Sequence, residues 1–177
     1  MLRPLLIFAI FFEALTYYQL ARQRSNEATE LIQKGEAILE RMRSWSKLSS
    51  WNWENKSFLL EAEKMHTLGN FHRAGPLYIS AIRSAHQHKF IHEEAIASEL
   101  AGLFYCERGL HDKSKALLMD SVRCYQKWGA LAIAKRVEAF IESKYGPGLM
   151  QMNPKDNTLW NLFALDEGCS KKRQERE

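Results

Sequence analysis

The 177 residues are enough for one domain of ordinary size, with little left over. An apolar fraction of 46% with 26% charged residues is that of an ordinary globular chain. The net charge of +4 excludes a strongly basic nucleic-acid binder; its surplus sits at the end, where Lys171, Lys172, Arg173 and Arg176 outnumber Glu175 and Glu177. Four prolines and no period-two alternation of apolar residues predict an all-α chain.

The first predicted helix runs from Pro4 to Arg22. Its start, Leu5 to Phe12, is a continuous apolar run after Arg3 and Pro4. Glu13 interrupts the run, and no small-residue cleavage site follows it. Eight apolar residues are too few for a bilayer, which needs ~20. The run is therefore read as part of a buried helix whose neighbour lies upstream of the chain's start. The alternative is a membrane-tethered or secreted helical protein that uses Met1 to Phe12 as anchor or signal.

Ser25-Asn26 reads as the cap of a second helix, Glu27 to Trp45, with Leu31, Ile32, Ile38, Leu39 and Met42 on one face. Ser46 to Asn52 reads as a polar turn. A third helix spans Glu54 to Leu68, a fourth Phe71 to His88 and a fifth Ile91 to Arg108. Pro76 lies early in the fourth, where a missing amide hydrogen costs little. Asp112 reads as the N-cap of a sixth helix, Lys113 to Lys127. Gly129 separates it from a seventh, Ala130 to Tyr145, and Gly146-Pro147-Gly148 ends the array. Thr158 to Leu165 reads as one more short helix, with Trp160, Phe163 and Leu165 covering the open end.

Within this array a signature occurs twice. Gly69, Ala74, Tyr78 and Ala81 are matched by Gly109, Ser114, Leu118 and Ser121, about 40 residues on. Each glycine closes one helix, and small residues let the next pack closely. Short loops make neighbouring helices antiparallel. The predicted fold is all-α, a right-handed superhelix of antiparallel helical hairpins, and such stacks build interaction surfaces rather than catalytic pockets.

A family resemblance sharpens this. The stretches NKSFLLEAE, GNFHRAGPLYISAI, HKFIHEEAIASELAGLFYCERG and CYQKWGA follow one another between residues 55 and 130. FFEALTYYQLARQ and WNWENK precede them. Together, from Pro4 to Tyr145, the sequence resembles the tetratricopeptide-type helical region of multidomain signalling proteins. These are serine/threonine kinases and multisensor histidine kinases with a STAND-class AAA ATPase at their centre. The resemblance implies tetratricopeptide-like repeats over 1–148, followed by a C-terminal capping segment and charged flexible tail over 149–177.

The chain holds no GxxxxGK[ST] phosphate loop, no kinase glycine loop, and no HRD or DFG motif. The family's chemistry therefore maps to no residue here.

Other candidate chemistry has simpler structural readings. His86, His88 and His92 are the one histidine cluster; with Glu93 or Glu94 they suggest zinc, but a turn between them favours ordinary surface histidines. Glu93 and Glu94 suit the positive end of a helix. Glu99, further along, suits a bond to a neighbouring helix. Cys106 and Cys124 read as small buried thiols of a reducing compartment, and Cys169 leaves the count odd. Trp45, Trp51 and Trp53 read either as a hydrophobic plug between hairpins or as an exposed partner anchor. Ala62, Met65 and His66, then Gly102 and Tyr105, offer an apolar groove or a packed core.

The sequence thus predicts a non-enzymatic, cytoplasmic protein-interaction or regulatory scaffold with no cofactor and no metal. Its partner is the ATPase, kinase or sensor domain of a signalling system. The structural residues that matter most are Gly69, Ala74, Tyr78, Ala81, Gly102, Gly109, Trp128 and Gly129. Trp128 is expected to wedge between helices six and seven, while Gly129 supplies a backbone conformation other residues resist.

Overall fold

In the computed structural model the described residues are 4–147, with side chains from residue 9 onward. They form seven α-helices and no strand: α1 Pro4–Gln23, α2 Ala28–Leu48, α3 Ser50–Thr67, α4 Phe71–Gln87, α5 Ile91–Glu107, α6 His111–Trp128 and α7 Leu131–Tyr145. The predicted segment Thr158 to Leu165 and the tail lie outside the described residues.

The turns after α3, α4, α5 and α6 are chemically the same. In each, one residue adopts a left-handed conformation: Gly69 at φ 74°, Lys89 at 64°, Gly109 at 71° and Gly129 at 91°. These residues donate their N–H groups to His66, His86, Cys106 and Gln126. The residues that follow them, Asn70, Phe90, Leu110 and Ala130, donate to Met65, Ala85, Tyr105 and Tyr125. This paired pattern is the Schellman motif, which satisfies carbonyls that a helix end would otherwise leave bare. The repeat seen in sequence as a 40-residue hairpin is therefore built from two near-equal halves. Lys89 occupies the position that glycine fills in the other three turns.

These turns also set where the next helix begins. His111 starts α6 directly after Leu110, which is the N-cap and offers no side-chain bond. Asp112, predicted as the cap, instead lies in the first turn, exposed, 3.7 Å from Lys115. The geometry of the preceding helix end decides the start, not a capping side chain. α2 likewise begins after Glu27 without a side-chain cap, in place of the predicted Ser25-Asn26. Asn70 does cap α4, accepting from the Arg73 amide. Pro76 is the sixth residue of α4, beyond the first turn, so the His72 carbonyl receives no amide from it. Both residues are exposed, and water can serve that carbonyl.

The predicted polar turn from Ser46 to Asn52 shrinks to Ser49 alone. Its serines are helix-compatible, and the rings of Trp45 and Trp53 pack 4.9 Å apart across the corner. Asn52 steadies the start of α3 by donating its side-chain amide to the Ser49 hydroxyl.

The described contacts form two compact units, the first ending at Glu93 and the second beginning at Glu94. In the first, α2 packs on α1 and α3, α3 on α4, and α1 also touches α3 directly. Phe11, Ala14, Leu15 and Tyr18 of α1 are buried. Among the described residues the neighbours of this helix are α2 and α3, both downstream. Among the described residues no helix is long and apolar enough to cross a membrane. The second unit gathers Leu118, Val122 and Tyr125 of α6 with Ala134, Val137 and Ile141 of α7 and Ala95 of α5.

Two glycines act through close approach. A Cβ on Gly102 would sit 2.6 Å from Leu118 Cγ and 3.2 Å from the Leu118 amide nitrogen. Beside it, Ser114 Oγ donates to the Gly102 carbonyl at 2.8 Å. A Cβ on Gly35 would meet the Tyr18 ring at 2.7 Å, so α1 and α2 also touch through a missing side chain.

Candidate functional site

Most of the predicted repeat residues lie in the core or at helix-ending turns. Ala74, Tyr78 and Ala81 are buried in the first unit, as Ser114, Leu118 and Ser121 are in the second. Gly69, Gly109 and Gly129 have open space where a side chain would go, so their backbone conformation is the sole constraint. Trp128 is not a wedge between α6 and α7: it is 47% exposed and stacks its ring on Tyr125 one turn earlier. Ala62, Met65 and His66 are buried, as are Gly102 and Tyr105, so these faces are packed core rather than open groove.

Buried carboxylates hold the helices in register. Glu63 of α3, 1% exposed, receives Arg22 Nη2 from α1 at 2.8 Å and the Tyr78 hydroxyl from α4 at 2.5 Å. The Tyr78 oxygen also lies 3.3 Å from His66 Nδ1, and Arg22 Nη1 donates to Thr67 Oγ1 at 3.0 Å. In the second unit Glu99 accepts from Tyr125 at 2.8 Å and from Arg136 at 2.7 Å, the bond to neighbouring helices expected of it. Burial, reinforced by the Glu99 charge, raises the Tyr125 phenol above its ordinary range.

The feature with an outward-facing chemistry lies in the first unit, where the α2–α3 corner meets the end of α4. Arg41 lies 5.3 Å from the Trp45 ring, and Trp45 packs on Trp53. Lys56 reaches between the Trp53 ring at 5.8 Å and the Phe90 ring at 5.0 Å. Phe90 contacts His88, and His88 stacks on Trp51 at 5.7 Å with the rings 21° apart. Trp51 is 60% exposed and Leu48 beside it 86%. The three tryptophans therefore divide: Trp45 and Trp53 are partly buried against each other, as in the plug reading, and Trp51 faces outward.

Beneath this aromatic chain sits a buried ion pair. Glu93, 3% exposed, lies 2.5 Å from Lys56 Nζ and accepts from Asn55 Nδ2 at 2.6 Å. The pair explains Glu93 more fully than its place at a helix start. Lys56 also donates to the Asn52 carbonyl at 2.9 Å, and Ser84 donates to Glu54 at 3.1 Å. The ion pair ties α3 to the start of α5 within the first unit, and the Ser84 bond ties α3 to α4. Sequence reasoning missed Lys56, Asn55, Glu63 and Arg22, because charged and amide side chains are normally solvated.

His88 and His92 belong to this aromatic chain, with His92 Nε2 3.4 Å from Glu93 Oε1 and its ring edge-on to Phe90. Among the described residues no group of three or more His, Cys, Asp or Glu side chains is arranged to hold a metal. Cys106 and Cys124 are free thiols. Burial, then the Glu94 carboxylate, pushes the Cys124 thiol up to about 12. Cys169 lies outside the described residues.

These features define an all-α arrangement of the described residues in which buried charges tie helices together and one corner presents an exposed tryptophan. No protein-family model matches the chain, and no solved structure matches it. The hybrid signal transduction histidine kinase G of Dictyostelium discoideum is 34% identical over 109 residues, which make up 62% of this chain and 3% of that protein. The chain thus spans a small fraction of the length of the kinase it resembles.

Proposed function

We propose that the chain is a non-enzymatic protein-interaction or regulatory scaffold of a signal-transduction ATPase or kinase. It acts as part of such a protein or as a subunit bound to one, in the cytoplasm. The observation that carries this reading is the 109-residue match to a signalling histidine kinase. The helical body supports it: regularly spaced Schellman turns fit tetratricopeptide-like hairpins wound in a right-handed superhelix. In this role the scaffold transmits or restrains conformational change between an ATPase and an output domain, through helix contacts that differ between two states.

The test is affinity capture of the tagged full chain from its own cells, followed by mass spectrometry. Enrichment of a protein carrying an ATPase, kinase or sensor domain is the expected result. Enrichment of none, or catalytic turnover by the purified chain itself, would overturn the proposal.

A further inference from the structure

We infer that the α2–α3 corner, with the end of α4 beside it, is a docking surface for an acidic segment of a partner protein that carries one large apolar residue. Trp51 and Leu48 supply the apolar seat, and both are largely exposed. Trp51 is held in place by its stack on His88, so its ring is presented with little freedom left to lose on binding.

The charge around this seat is one-sided. Arg41, Lys47 and Lys89 are exposed, and among the described residues none has a carboxylate partner. The nearby carboxylates are already engaged: Glu40 with Arg43, Glu54 with Ser84, and Glu93 with Lys56. Most exposed cations elsewhere in this unit are paired, as Arg24 is with Glu27 and Lys34 with Glu30. An exposed tryptophan and leucine with Lys47 next to Leu48, Lys89 next to the stacked His88, and Arg41 over Trp45 is complementary to carboxylates flanking an aromatic or aliphatic side chain. Lys89 adds a further sign. It sits in the left-handed position that glycine fills in three equivalent turns, so the corner carries this cation despite the backbone preference for glycine.

This inference deepens the scaffold reading and rests on it for the identity of the partner. The test pans a random short-peptide display library on the immobilised full chain. Selected peptides are then measured by fluorescence anisotropy against wild type, Trp51→Ala and the double variant Lys47→Glu/Lys89→Glu. All three side chains are exposed, and circular dichroism checks that the fold is kept. Asp- and Glu-rich peptides around an aromatic or leucine should be selected. Each variant should weaken them at least about tenfold, and added salt should weaken them further.

Selection of no acidic peptide, or equal binding by the variants, would overturn the inference. So would failure of peptides alongside binding of phosphatidylserine vesicles through the same residues, which would make this a membrane contact. Failure of the scaffold reading looks different: acidic peptides would still select the corner, while capture from cells would yield no signalling protein. Capture that survives Trp51→Ala would sink the docking surface and leave the scaffold standing.

Discussion

Replacing Lys89 with glycine should make the protein more stable, although it deletes a long side chain and a charge. Lys89 holds φ at 64° in a turn whose hydrogen bonds match those of Gly69, Gly109 and Gly129. An L-residue in that region costs about 1–2 kcal/mol relative to its ordinary conformations. Glycine removes that cost but brings a freer unfolded chain, worth about 0.5–1 kcal/mol in the other direction. The Lys89 ammonium makes no ion pair among the described residues, so little else is lost. The net expectation is a gain of about 0.5–1 kcal/mol, or about 1–4 °C in Tm for a chain of this size. Urea titration of wild type, Lys89→Gly and the mirror variant Gly109→Val reads this directly. Gly109→Val should lose 1 kcal/mol or more, since no neighbour limits the space and the backbone alone resists the change. A Lys89→Gly protein no more stable than wild type, with Gly109→Val neutral, would refute the common-turn reasoning.

Gly102→Ala should cost about 1–3 kcal/mol by driving a methyl group into Leu118, and Gly35→Ala should cost similarly against the Tyr18 ring; thermal melts check both. Tyr78→Phe removes a hydrogen bond to the buried Glu63 carboxylate and should cost about 1–3 kcal/mol in urea titration. Lys56→Met strands the buried Glu93 charge and should cost about 3–5 kcal/mol, whereas Lys56→Met/Glu93→Met should recover much of that loss; an additive double variant would contradict a direct pair. Burial raises the Cys124 thiol from 9.0 to about 12, so its contribution to stability is complete below pH 9 and fades as pH rises toward 12. Cys124 should therefore resist alkylation at neutral pH, which mass mapping after iodoacetamide treatment would show.

The helix layout was legible because breakers and apolar spacing agree at most boundaries. Gly69, Gly109 and Gly129 announce their turns, since glycine is the residue that a left-handed helix end favours. Lys89 makes the same turn without that chemical mark, so the half-period of the repeat could not be read from composition. Asp112 and Ser25-Asn26 misled for a related reason: α6 starts directly after the preceding turn and α2 after Glu27, both without a side-chain cap, so the capping residues nearby go unused. The corner at Ser49 was hidden by serines that read as a loop but accommodate helix when Trp45 and Trp53 meet across it. Gly102 is among the structural residues the sequence singles out, whereas Gly35 is not and has the same role. The exposed site was only half legible. Three clustered tryptophans were plain, but which of them faces outward depends on His88, contributed by the end of α4. The buried pairs of Glu63 and Glu93 depend on partners from other helices, which no local pattern records.

The regulatory role is tested most directly by the activity of the captured partner. ATP turnover or phosphotransfer by the purified signalling protein is measured with the chain bound and with it removed or competed away. A scaffold that biases two states should change that rate several-fold at saturation, because a coupling of about 1 kcal/mol already shifts an equilibrium about fivefold. A rate that stays the same with the chain bound and absent would contradict it.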